Sequence, residues 1–170
     1  MVVIDNYLGS EQYELIKHTL MGDFPWYYND YKVGDEAFDD KNNYQFVHMF
    51  YNDYTITSQY WQVILPIINK INPAAIVRVK TNLNPNTDTP VLFAFHTDTN
   101  IKFKGKTAIY YVNTNNGHTV FKDGTKIESV ANRMVIFDNN ILHTNTTCTD
   151  QKVRCVLNFN YIEQDVNKND

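Results

Sequence analysis

The chain has 170 residues, of which 43% are hydrophobic, 20% charged and 14% aromatic, and its formal net charge is -4 at pH 7. That length suits one domain with its own core, and a mean hydropathy of -0.44 without a long apolar run argues against a membrane-spanning helix. The acidic balance argues against a nucleic-acid footprint, two cysteines, Cys148 and Cys155, make no disulfide framework, and a start lacking a basic and then apolar segment predicts a cytoplasmic protein.

Tyr13, Ile16 and Leu20 at helical spacing behind Ser10 as N-cap predict a helix over 10–21, ended by Gly22 and Pro25. Residues 24–29 are aromatic and aperiodic, and 34–43 are polar. Tyr44 to Tyr51 reads as a strand. A second helix is predicted over 58–71, with Trp61, Ile64, Leu65, Ile67 and Ile68 crowding one side, Pro66 as a point of kinking and Asn72-Pro73 as the stop. From residue 74 the character changes to short strands, predicted at 76–83, 91–97, 107–112, 118–121, 134–137 and 153–162. The turns between them are read at Asn115-Asn116-Gly117, Lys122-Asp123-Gly124 and Asp138-Asn139-Asn140. No helical pattern alternates with these strands, which argues against a parallel βαβ sheet. Helices first and short strands after predict a mainly β fold, a sandwich or jelly roll buttressed by N-terminal helices. The predicted domain covers 1–163, with 1–75 as helical buttress and substrate-side segments and 76–162 as the β core; 164–170 is a polar tail.

Side chains two apart on a strand share a face, which puts His96 beside Asp98. An imidazole and a carboxylate side by side make two adjacent ligands for a divalent metal. A histidine from a neighbouring strand would complete the two-histidine, one-carboxylate face that leaves the opposite side open, as in non-haem Fe(II) oxygenases. His143, behind the strand Met134 to Phe137 and a turn, is the candidate. Arg154, eleven residues on, shares its strand face with Val156, Asn158 and Asn160. Its guanidinium is a rigid fork that binds a carboxylate through two hydrogen bonds. Only Arg78, Arg133 and Arg154 are arginine among 15 basic residues, and asparagine is abundant. That bias fits an AT-rich genome such as that of a bacteriophage or small marine microbe. Lysine is then the default cation, so each arginine marks work that lysine does poorly. The other histidines have blander readings: His18 on an exposed helix face, His48 as a satisfied half-buried group among Tyr44, Phe46 and Phe50. Cys155, on the face opposite Arg154, reads as core.

The set His96-x-Asp98, His143 and Arg154, in this order and spacing, resembles the Fe(II)/2-oxoglutarate-dependent oxygenase superfamily, and within it the prolyl 4-hydroxylase-like branch. Thr107 to Asn113 is similar to that branch's aliphatic-Tyr-Tyr-Leu-Asn strand, Val120 to Gly124 to the hairpin after it, and Asn132 to Phe137 to the strand before the distal histidine. The resemblance covers 76–162 and implies a double-stranded β-helix. It implies Fe(II) on His96, Asp98 and His143, with 2-oxoglutarate and O2 as cosubstrates. Arg154 and Tyr111, with Asn158 beside them, would bind 2-oxoglutarate, and no further catalytic side chain is needed. The implied reaction is hydroxylation of a C–H bond, and a peptide or protein substrate, a prolyl residue among them, is expected ahead of a small metabolite. Two features depart from the pattern: Gly117 is followed by His118, and Lys80, Asn82 and Asn84 stand where a tyrosine is usual. Trp26, Tyr28 and His118 are read as substrate-side residues, with 24–43 as a cover that sets substrate choice. The alternative is a non-catalytic jelly roll keeping the three ligands for a structural Zn2+, which would have no use for Arg154. No nucleic-acid or membrane partner is expected.

Overall fold

Along 75–85 and 153–162, apolar and polar residues alternate, and this alternation sorts the molecule into its layers. The structure, a computed structural model, describes residues 1–32, 41–98 and 104–164. Its elements are β1 (Val2–Ile4), α1 (Ser10–Met21), β2 (Tyr27–Asn29), β3 (Gln45–Asn52), β4 (Thr55–Ile56), α2 (Trp61–Ile71), β5 (Ala75–Pro85), β6 (Lys106–Tyr111), β7 (Asn115–Phe121), β8 (Lys126–Ser129), β9 (Arg133–Asp138), β10 (His143–Asn145) and β11 (Val153–Ile162). A large antiparallel sheet runs β1-β9-β6-β11-β5-β3-β2, with β4 paired to β3, and a small one runs β10-β7-β8. The two sheets make a double-stranded β-helix, a jelly roll with two helices on its outer face.

Odd-numbered residues of β5 and β11 face the helices. Val79, Cys155, Leu157, Phe159 and Tyr161 pack there with Ile16 and Leu20 of α1 and Ile64, Ile67 and Ile68 of α2. Even-numbered residues face the small sheet. Val156 joins Ile109, Tyr111, Phe121, Ile127, Val135 and Phe137 in a second apolar cluster between the sheets. The other even positions from 78 to 84 and from 154 to 160 are polar, so the interior between the sheets is partly a polar cleft rather than a core; beyond the bulge at Asn160–Tyr161 the register shifts, and Ile76 packs with the helix-side cluster. Among the described residues no helix is long and apolar enough to cross a membrane.

Several local expectations are corrected. Gly9, not Ser10, caps α1, and Ser10 is its first helical residue. The second helix starts at Trp61, because Ser58 to Tyr60 form a turn in which the Ser58 hydroxyl accepts the Tyr60 N–H at 3.0 Å. The 91–97 segment is no regular strand; it meets its neighbour through isolated bridges at Leu92–Thr146 and His96–His143 and through separate hydrogen bonds of Val91 and Phe93. Asn115-Asn116-Gly117 is no turn but the start of β7. Gly117 is needed there for space: a Cβ would come within 2.8 Å of Arg154 Cδ and 3.2 Å of the Thr146 carbonyl. The short strands β1, β2, β4, β8 and β10 carry too few residues to show a period, and neighbouring strands impose them. Of the expected cover, 33–40 lie outside the described residues, as do 165–170 of the expected tail.

Asn132 ties the N-terminal segment to the large sheet. Its Oδ1 accepts the Leu8 N–H and the Tyr110 hydroxyl, each at 2.9 Å, and its Nδ2 donates to the Leu8 carbonyl at 2.9 Å. Its backbone takes a left-handed φ of 61°, which asparagine tolerates better than most residues. Asn132→Ala should therefore lose about 2–4 kcal/mol of stability through three buried hydrogen bonds and a strained φ, measured by urea unfolding.

Candidate active site

The polar even-numbered residues of β5 and β11 form one wall of a narrow cleft, which includes Lys80, Asn82, Arg154 and Asn158. Thr119 of β7 and His143 to Asn145 of β10 form the opposite wall, and His96 and Asp98 close the end between the sheets.

His96, Asp98 and His143 converge there, with one ligand atom from each lying within 4.8 Å of the others. Nε2 of His143 is 3.5 Å from Asp98 Oδ2, and Nε2 of His96 is 4.0 Å from Oδ1. In both rings Nδ1–H is committed to a nearby carbonyl, of Ala94 at 3.2 Å and of Ile141 at 3.1 Å. That fixes the tautomer in which Nε2 presents its lone pair inward. Burial lowers the His96 pKa, which favours the neutral, ligating form. Two imidazole nitrogens and a carboxylate on one side of a common point fit a divalent metal such as Fe(II) with positions left open.

Asp98 does not reach this point by strand alternation. It sits just past the irregular segment, with its side chain 4% exposed, and partners from the large sheet hold it. Asn158 Nδ2 donates to Oδ2 at 2.9 Å, Asn160 Nδ2 donates to Oδ2 at 3.5 Å, and the Arg78 guanidinium stands 3.6 Å from Oδ1 while also donating to the Asp98 carbonyl. Burial by itself would raise the Asp98 pKa, but the facing His143, then Lys80 and Arg78, outweigh it and hold the carboxyl below its ordinary range.

Arg154 is 1% exposed. Its Nε donates to the Ser129 hydroxyl at 2.9 Å and its Nη2 to the Thr119 hydroxyl at 3.1 Å. Among the described residues it has no acidic partner, and burial lowers its pKa. Tyr111 is buried in the apolar cluster beneath, its hydroxyl donating to Thr119 at 2.7 Å. It touches the cleft through Thr119 rather than lining it. Asn158 lines the cleft, but its amide N–H serves Asp98.

The expected substrate-side residues lie elsewhere. Trp26 packs on the helix-side core, edge-on to Phe24. Tyr28 sits 62% exposed at the sheet edge beside Tyr44 and Phe46. His118, on β7 opposite Glu128, is not on the cleft wall. His48 is a satisfied core group, donating from Nδ1 to the Pro25 carbonyl at 2.8 Å and accepting the Ser58 hydroxyl on Nε2 at 2.7 Å.

No family profile matches the chain, and no curated protein matches it. Solved structures do. A 2OG-Fe(II) oxygenase family oxidoreductase from Burkholderia pseudomallei superposes with a TM-score of 0.70 at 11% identity, over 96% of this chain and 85% of that one. The fold is that of the 2OG-Fe(II) oxygenases. A prolyl hydroxylase from Trichoplax adhaerens, solved with a hypoxia inducible factor peptide fragment, gives 0.64 at 12% identity over 95% and 83%. The viral collagen prolyl hydroxylase of Paramecium Bursaria Chlorella virus-1 gives 0.57 at 14% identity, over 96% of both proteins.

The sequence pointed to Arg78 only as one of three arginines and to Lys80 only as standing where a tyrosine is usual, and it gave no sign of Thr119 or Ser129. The scarcity of arginine marked Arg78, whereas nothing in the sequence pairs Thr119 or Ser129 with Arg154. The Lys80 ammonium is pushed down to about 8, first by burial, then by repulsion from Arg78, with Asp98 opposing. A lysine with a lower pKa folded than unfolded weakens the fold where both states are charged, below about pH 8. That penalty fades as pH rises toward the ordinary value of 10.5. Lys80 keeps partial contact with solvent, so the penalty is about 1–2 kcal/mol. Lys80→Met should raise the Tm of the metal-free protein at neutral pH, and a pH series of thermal unfolding should show the gain shrinking in alkali.

Proposed function

We propose that the protein is an Fe(II)- and 2-oxoglutarate-dependent dioxygenase that hydroxylates a C–H bond of its substrate. One atom of O2 enters the hydroxyl group and the other enters succinate, as 2-oxoglutarate loses CO2. The observation that carries this reading is Arg154, a buried guanidinium without an acidic partner among the described residues, opening on the same cleft as the His96, Asp98 and His143 donors. A structural Zn2+ site would leave that charge without purpose.

His96, Asp98 and His143 would hold Fe(II) from one side. When bound, iron and 2-oxoglutarate supply the oxygen chemistry, and the protein supplies position. Arg154 and the Thr119 hydroxyl receive the distal carboxylate of 2-oxoglutarate, directing its 2-oxo end toward the donors. Tyr111 fixes Thr119 from below, and Ser129 fixes the Arg154 head group. Asn158, Asn160 and Arg78 hold the Asp98 carboxylate so that it cannot swing away. The apolar cluster of Ile109, Val156 and their neighbours limits water behind the site. The prolyl hydroxylases among its structural neighbours offer a peptidyl proline as a rival substrate, but at 12% and 14% identity that likeness reaches the fold and not the residues of the cleft.

Anaerobic titration with Fe(II) and then 2-oxoglutarate should give the weak visible charge-transfer band of the chelate. Arg154→Ala should weaken 2-oxoglutarate binding by about 2–5 kcal/mol, much of it the penalty for an unpaired carboxylate. Arg154→Lys should recover part, because charge survives but the fork does not. Fe(II) affinity without cosubstrate should not change. Binding by Arg154→Ala within about twofold of wild type, or no band with tight Zn2+ retention, would overturn the assignment.

A further inference from the structure

The cleft holds more recognition chemistry than 2-oxoglutarate uses. Lys80 and Arg154 both face into it but stand apart along the paired strands: Lys80 lies opposite Asn158, and Arg154 opposite Asn84. Arg154 belongs with Thr119 and Ser129, whereas Lys80 stands at the metal-donor end. Among the described residues the one acid on the cleft wall is Asp98, which stands 3.6 Å from the Arg78 guanidinium and faces His96 and His143; Lys80 feels its charge but makes no direct ion pair with it. With a divalent ion on the donors and the dianionic cosubstrate bound, positive charge is still in excess.

A second observation is independent of charge. The Oδ1 atoms of Asn82 and Asn158 are buried in this wall, and that of Asn145 in the opposite one, without a hydrogen-bond partner. The Asn158 amide cannot be turned round, because its Nδ2 donates to Asp98 at 2.9 Å. A buried carbonyl left unpaired is costly. 2-Oxoglutarate has no N–H or O–H at neutral pH and satisfies none of these oxygens. The donor must come from the substrate, or from water that the substrate displaces.

Resting on the oxygenase reading, we infer that the primary substrate is a small free amino acid or a close zwitterionic relative. Its carboxylate pairs with Lys80, and its ammonium or amino N–H donates to Oδ1 of Asn158 and Asn82. An internal prolyl residue offers neither group, since it has no free carboxylate and its ring nitrogen carries no hydrogen. The cleft therefore discriminates against it. The same pairing holds the substrate beside the donors His96 and Asp98, which brings the aliphatic part of the amino acid, with its C–H bonds, near the reacting centre.

The test loads anaerobic protein with Fe(II) and 2-oxoglutarate and titrates it with a panel of free L-amino acids. Each responder is compared with its carboxamide and N-acetyl derivatives, and a prolyl peptide blocked at both ends is run beside them. At least one free acid should perturb the charge-transfer band and, in air, gain one oxygen atom by mass. Conversion to the carboxamide, or Lys80→Met, should raise its half-saturating concentration at least about tenfold, as for loss of a charge-assisted pair. The 2-oxoglutarate concentration needed to form the band should stay the same in Lys80→Met. The inference is overturned if no free acid perturbs the band, if the blocked peptide binds as well as the acids, or if Lys80→Met weakens 2-oxoglutarate binding instead. Absence of the band itself would point to failure of the oxygenase reading, and the substrate inference would fall with it.

Discussion

β5 and β11 pair through ten residues, from Val153 with Pro85 to Ile162 with Ala75. Because side chains alternate, that register decides which residues meet the helices and which meet the cleft. A slip of one residue would turn Arg154, Asn158 and Lys80 toward α1 and α2 and expose Leu157 and Phe159 to the polar side. The apolar odd-numbered face is what forbids the slip, so the packing of the helices indirectly positions the site. Cys155 shows the other side of the arrangement. It lies one residue from Arg154 yet is buried with Thr81 nearby, and burial pushes its thiol up to about 12, which leaves it inert.

The even-numbered face carries a cost in return. Burying a guanidinium without a countercharge costs several kcal/mol, and the side-chain carbonyls of Asn82, Asn84 and Asn158 on the same face lack partners. Stability is supplied elsewhere, by the helix-side cluster and by ties such as Asn132 with Leu8 and the Arg133 fork on Asp5. Such a division, an over-determined outer layer and an under-satisfied cleft, is what a binding site requires. Groups meant for a ligand cannot also be paired within the protein.

The three arginines illustrate why the protein uses arginine so sparingly. Arg133 grips Asp5 with two nitrogens, Nε at 2.6 Å and Nη2 at 3.1 Å. Arg78 holds Asp98 by carboxylate and carbonyl while its Nε donates to Asn160 at 3.2 Å. Arg154 spans Ser129 and Thr119. Each uses the guanidinium's several fixed donor directions at once, which a single ammonium does not offer. Lys80 needs no such fork, because its neighbours on the wall leave it to meet one anionic group.

The sequence by itself determined the layers and the candidate donors. Alternation in 75–85 and 153–162 and helical spacing around Ile16 and Ile64 are local patterns that one strand or helix displays alone, and the order and spacing of His96, Asp98, His143 and Arg154 along the chain mark a known family pattern. The tertiary structure decided what those residues meet. Asp98 is placed by Arg78, Asn158 and Asn160 from strands distant in sequence, in a segment with no regular strand. Thr119 and Ser129 join Arg154 across the gap between sheets, and Gly117 is a glycine because the Arg154 side chain passes over it. Tyr28 and Trp26, aromatic and aperiodic, gave no period from which to read a face, and the fold turned both away from the cleft. Such contacts depend on how two sheets stack, and stacking is set by the sum of all side-chain volumes between them rather than by any short run of residues.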